Sequence, residues 1–92
     1  MSTVHIPTVL RPNVGGARSL EIPGSTVGEV VRGLVAAHPA LRDQVLTPEG
    51  ELNRFVNLYV NGQDVRYLQG LETPVADGDE VRLLPAMAGG SR

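Results

Sequence analysis

Between Pro23 and Pro39 the chain reads PGSTVGEVVRGLVAAHP, its only stretch with a strong helical period. Val27, Val30, Val31, Leu34 and Val35 recur at helical spacing and gather into one apolar stripe. A helix with a single stripe buries one side only, so it must lie across one face of another layer. The segments on either side of it read as strands. The chain is thereby confined to a two-layer α+β domain, with one helix over one sheet face and the other face turned to solvent. Thr26 with Glu29 three positions on forms a capping box, and the spacing predicts a helix from about Thr26 to His38, stopped by Pro39. Gly28 and Gly33 each cost a helix about 1 kcal/mol against Ala, so tertiary packing must hold it.

The strands follow from alternation. Val4, Ile6, Thr8 and Leu10 fall on one side of TVHIPTVLR, which predicts a first strand with a bulge or unpaired position at Pro7. RPNVGG, Arg11–Gly16, is a turn, and Ala17–Ile22 returns as a second strand, completing a hairpin. ALRDQVL suits one more short turn of helix through Leu41 and Val45. In RFVNLYVNGQDVRYL, Val56, Leu58 and Val60 alternate with Phe55, Asn57 and Tyr59. Asn61-Gly62 is the strongest two-residue hairpin signal, and a short strand over Gln63–Arg66 follows it. An Asp77-Gly78 turn introduces the last strand, with Val81 and Leu83 on one face and Arg82 and Leu84 on the other. Pairing of the first and last strands must be parallel and needs a crossover, which the helix supplies. The result is a mixed four- to five-stranded sheet. Val30, Leu34, Val56, Leu58, Val81 and Leu83 are expected in the core; Asn57, Tyr59, Arg82 and Leu84 are expected on the open face.

With 92 residues the chain is one small domain, able to bury roughly 60–65% of its unfolded surface. One Phe, two Tyr and no Trp make its core aliphatic. The absence of cysteine excludes disulfides, thiol nucleophiles and thiolate metal sites, so any sulfur chemistry must use sulfur from a partner. A net charge of −2 without a basic run speaks against nucleic acid as a partner. No apolar run has the length of a signal peptide or a membrane span, and the cytoplasm is the expected location. All eight basic residues are Arg. That composition suits a GC-rich genome; it also makes a surface that cannot be acylated on its own side chains.

Local catalysis has little to work with. His5 lies in a strand and His38 at a helix end, without metal-ligand spacing. Asp77, Asp79 and Glu80 lack the spacing of a calcium loop and fit the Asp-Gly turn instead. Neither VGGAR nor AGGSR has the lysine of a phosphate loop. There remains the terminus, PAMAGGSR, Pro85–Arg92. It is either a frayed end or a side-chain-free tail able to thread a narrow tunnel, where four extended residues reach roughly 13 Å.

The run FVNLYVNGQDVRYLQGLETPVADGDEVRLLPAMAGG resembles the carboxy-terminal half of the ThiS/MoaD-type sulfur carriers. It shares a VN strand with hairpin, an L-x-T-x-V-x-DGDEV connection and a final P-x-x-x-GG. HIPTVLRP and GSTVGEVV also resemble the branch that serves cysteine biosynthesis in actinobacteria. The resemblance covers nearly the whole chain. It implies a β-grasp, ubiquitin-like domain over residues 1–88 and a flexible tail over 89–92. It also implies a carrier rather than an enzyme, with no bound cofactor. In such carriers a ubiquitin-activating-type enzyme uses ATP to adenylate the carboxylate of the second Gly, here Gly90. Sulfur then displaces the adenylate, and the thiocarboxylate gives up its sulfur in a partner synthase, cysteine synthase-like or other.

Residues matched to the tail motif are Ala88, Gly89 and Gly90 for threading, and Met87 joins Asn57, Tyr59, Arg82 and Leu84 as expected partner-docking positions. An isolated surface leucine is the alternative for Leu84. The chain departs from the family in Ser91 and Arg92, since members usually end at the Gly pair. The departure implies a pro-form cut between Gly90 and Ser91, and some relatives are trimmed by a JAMM-type zinc metallopeptidase. Three other readings stay open: the small subunit of molybdopterin synthase, a ubiquitin-like modifier conjugated through Gly90, and a β-grasp interaction domain with an inert tail.

Overall fold

The computed structural model describes residues 1–85. Strands β1 (Ser2–His5), β2 (Ser19–Ile22), β3 (Val56–Val60), β4 (Gln63–Asp64) and β5 (Glu80–Pro85) form one sheet in the order β2-β1-β5-β3-β4. The β1·β5 pair is parallel, and the β1·β2, β3·β5 and β3·β4 pairs are antiparallel. Helix α1 (Val27–Ala37) makes the crossover, and a short α2 (Arg42–Val45) follows a 3-10 turn at Pro39–Leu41. This is the mixed sheet under one main helix expected of a β-grasp domain.

The core is the stripe of α1 set against the inward residues of the sheet. Val27, Val30, Val31, Leu34 and Val35 are buried with Val4, Val56, Leu58, Val60, Val81 and Leu83. Because this core is aliphatic, backbone proximity matters, and the two helix glycines provide it. A Cβ on Gly28 would lie 3.0 Å from the carbonyl oxygen of Leu71, and one on Gly33 would lie 3.0 Å from Cγ2 of Ile22. The propensity lost at these positions lets α1 settle onto β2 and onto the 3-10 turn at Gly70–Glu72.

The helix cap differs from a simple capping box. Thr26 Oγ1 accepts from the backbone N–H of Glu29 at 3.2 Å. The Glu29 carboxylate, however, accepts from the Ser25 N–H at 2.8 Å and from its hydroxyl at 3.0 Å, one residue before the cap. An isolated bridge between Thr26 and Pro74 ties the chain down as it enters the helix. The Ser25 N–H, and then its hydroxyl, hold the Glu29 carboxyl below its ordinary pKa.

Three expected strands are shorter than their alternation suggests, β2 beginning at Ser19 rather than Ala17. β1 ends at His5, and Thr8–Val14 winds as a 3-10 segment closed by Gly15 in the left-handed region. Pro7 cannot donate to the ladder, so pairing stops there after Ile6 N donates to Arg18 O at 2.8 Å. Leu10 is buried by the 3-10 winding rather than by strand periodicity, and Thr8 is exposed. β4 ends at Asp64, which caps a 3-10 turn at Val65–Tyr67 by accepting from Arg66 N at 2.8 Å. Arg66 therefore leaves the sheet. Its guanidinium donates to Asn57 Oδ1 at 2.9 Å, Val56 O at 2.9 Å and Asn53 O at 3.1 Å. Asn61 at φ 50° and Gly62 at φ 89° make the tight β3–β4 turn that this dipeptide favours.

Candidate functional site

The sheet face away from α1 is open, and the period of two along β3 and β5 decides what it carries. Asn57 is the register partner of Leu84, and Tyr59 is the partner of Arg82. The four expected docking residues in the sheet thus form two directly opposed cross-strand pairs. Arg82 and Leu84 are exposed, while Asn57 and Tyr59 are half-buried. Asn57 is fixed by the Arg66 guanidinium described above. His5 flanks Arg82 from the other side, through the parallel β1·β5 register. β5 ends at Pro85, opposite Val56. Met87, Ala88, Gly89, Gly90 and Ser91, the remaining expected site positions, lie outside the described residues.

Two features beside the end of β5 were not anticipated. A cleft of about 350 Å³ is lined by Arg11, Arg18 and Arg82 together with His5, Ser19 and Leu84, and among the described residues no Asp or Glu lines it. Arg11 is steadied by Nε donating to Ile6 O at 3.1 Å. These arginines are scattered in sequence. The register that places His5 between Ser19 and Arg82 brings Arg18 and Arg82 together, and the 3-10 segment Thr8–Val14 adds Arg11. On the layer edge, an apolar hollow of about 400 Å³ is lined by Val9, Leu10, Phe55 and Val56 among others. Val9 and Phe55 are 61% and 62% exposed, and the Arg54 guanidinium sits 5.3 Å from the Phe55 ring centre.

The other end of the sheet is acidic. Asp77 contacts the amino-terminal ammonium, which holds its carboxyl below the ordinary value. Asp79 is lowered too, first by the Ala76 N–H that donates to it at 2.8 Å and then by the Asn61 side chain. Glu80 faces His5 Nε2 at 3.2 Å. Asp77 and Asp79 belong to a turn with Gly78 at φ 86°, and Glu80 opens β5. Among the described residues no cluster of His, Cys, Asp or Glu could hold a metal ion, and no helix is long and apolar enough to cross a membrane.

Comparison with known proteins places this geometry in a wider set. The model of the ThiS family matches residues 4–90. The sulfur carrier protein CysO of Mycobacterium tuberculosis is 49% identical over 90 residues, spanning 96% of this chain and 97% of that protein. A chain in the crystal structure of the Amycolatopsis orientalis BexX/CysO complex superposes with a TM-score of 0.89 at 44% identity, covering 98% of this chain and all of that one. Small archaeal modifier protein 3 of Haloferax volcanii is 39% identical over 66 residues, 72% of this chain and 71% of its own.

Proposed function

Because this chain belongs to the ThiS family and is a homologue of CysO sulfur carriers, we propose that it carries sulfur as a thiocarboxylate on Gly90. The observation that supports this most directly is the reach of the family match, which runs through the sheet and the Gly pair to Gly90. The domain offers no cysteine and no catalytic cluster among its described residues. It does offer a sheet whose last strand ends at Pro85, four residues short of the Gly pair.

The proposed reaction has two steps. The Gly90 carboxylate attacks ATP bound by a ubiquitin-activating-type enzyme, forming an acyl-adenylate and releasing pyrophosphate. A sulfide nucleophile then adds to the acyl carbon and AMP leaves, so that one carboxylate oxygen has been exchanged for sulfur. The thiocarboxylate presents that sulfur to an acceptor in a synthase, the cysteine branch being favoured by the CysO relatives. Ser91 and Arg92 must first be removed. Extended, they carry the terminal carboxylate about 7 Å past Gly90, and misplacement by even about 1 Å can cost 10²-fold in rate. A JAMM-type zinc metallopeptidase is the class of enzyme proposed for the cut.

Incubation of residues 1–90 with an activating enzyme, ATP and sulfide, followed by intact-mass measurement, tests the proposal. The expected product has gained the mass difference between sulfur and oxygen, and an unchanged mass in the presence of pyrophosphate release would refute thiocarboxylate formation. The similarity to small archaeal modifier proteins favours one second reading, conjugation of Gly90 to lysines of other proteins. That product would be a stable isopeptide in place of a sulfur-bearing terminus.

A further inference from the structure

We propose that the cleft between Arg11, Arg18 and Arg82 seats an acidic, partly apolar segment of a partner protein, and so fixes how the partner lies around the end of β5. The inference rests on the reading that partners approach the open sheet face, and it adds the chemistry of the partner's contact. Arg11, Arg18 and Arg82 line one cleft, and among the described residues no Asp or Glu lines it. In a chain of net charge −2, that gathers cationic side chains at one end of the sheet and leaves Asp77 and Asp79 at the other, with Glu80 paired to the cleft-lining His5 between them. Such a division orients an approaching surface as well as attracting it.

The geometry favours a peptide over a free small anion. Arg11 spends Nε on Ile6 O, which holds its plane while its two terminal nitrogens have no hydrogen-bond partner among the described residues. A planar group so presented suits the two oxygens of a carboxylate. Leu84, 39% exposed, forms part of the same wall. A lone phosphate would satisfy the arginines and leave Leu84 bare. A segment alternating acidic and apolar side chains covers both. Leu84 immediately precedes Pro85, so a partner anchored here holds the domain beside the residues that lead to Gly90.

The test needs no sulfur transfer, so it can fail while the thiocarboxylate reading stands. The isotope-labelled full chain is titrated with a short acetylated and amidated peptide alternating Glu with Leu, and backbone amide shifts are followed by NMR. Movement is expected at His5, Arg18, Ser19, Arg82 and Leu84, and the same peptide with Lys for Glu should move none of them. Raising the salt to about 0.5 M shortens the screening length to a few Å and should weaken binding about 10-fold. The double change Arg18→Glu, Arg82→Glu should do the same, and the exposed single change Arg18→Ala, read alongside, guards against a folding defect. Absence of shifts at millimolar peptide, or equal binding by the charge-reversed chain, overturns the proposal. So does inorganic phosphate that moves the same amides at lower concentration than the peptide, since that outcome makes the cleft a small-anion site.

Discussion

Val4 of β1 and Val81 of β5 are register partners in the parallel pair, and each is 1% exposed. Their contact joins the beginning of the chain to its last strand, and α1 is packed over it. The fold is thus closed through its own centre, and β5 is held between β1 and β3. Leu34 on α1 and Leu58 on β3 are fully buried in the same core. Replacing either with Ala should destabilise the domain by about 2–5 kcal/mol. Denaturant unfolding checks this, and a loss well below 1 kcal/mol at both positions would contradict the core assignment.

Gly28 is expected to behave unlike an ordinary helix glycine. Ala there would normally gain about 1 kcal/mol of helix propensity. Here its Cβ would press on the Leu71 carbonyl oxygen at 3.0 Å, and overpacking against backbone costs about 1–3 kcal/mol. Gly28→Ala should therefore lower the melting temperature. A higher one would mean that the turn at Gly70–Glu72 yields easily.

Acid should weaken the fold in a definite window. Glu29 and Asp79 have folded-state pKa values below their ordinary 4.5 and 3.8. A lowered folded value stabilises fully above the ordinary value, and the benefit is lost as pH falls through the folded one. Stability should be level from neutral pH to about 5 and decline below that. Glu29→Gln and Asp79→Asn should each flatten the decline, measurable as melting temperature against pH. A decline as steep in both variants would assign acid sensitivity to other carboxylates.

Much of this architecture was legible because the periods were unambiguous. The α1 stripe, the alternation from Val56 to Val60 and the Asn61-Gly62 turn each depend on neighbours in sequence. What alternation missed was local competition. Thr8 and Leu10 continue the strand pattern, yet Pro7 ends the ladder and the chain winds into a 3-10 segment. Arg66 continues the β4 pattern, yet its guanidinium is drawn to the backbone around Asn53 and Val56. The arginine cleft was invisible for another reason: Arg18 and Arg82 meet through strand register, and Arg11 joins them from the 3-10 segment that replaces the expected strand end. Asn57, Tyr59, Arg82 and Leu84 were legible as one face because two adjacent strands with known alternation determine it.

Leu84 is the apolar member of that face nearest the end of β5. Leu84→Asp should leave the melting temperature nearly unchanged, because the side chain is already part-exposed. It should slow activation of a chain ending at Gly90 by about 10-fold or more, as expected for a central interface contact. Stopped-time assays of pyrophosphate release measure this. Unchanged kinetics would remove the open face from the docking surface.

Gly90 as the chemical end of the molecule is tested most directly by locating the sulfur. The 92-residue chain and a chain ending at Gly90 are each incubated with activating enzyme, ATP and sulfide, and their terminal peptides are fragmented in a mass spectrometer. Sulfur is expected on the Gly90 carboxyl of the shorter chain and nowhere on the longer one until Ser91 and Arg92 have been removed. Sulfur on Arg92 of the uncut chain, gained as readily as on Gly90, would contradict both the role of Gly90 and the need for the cut.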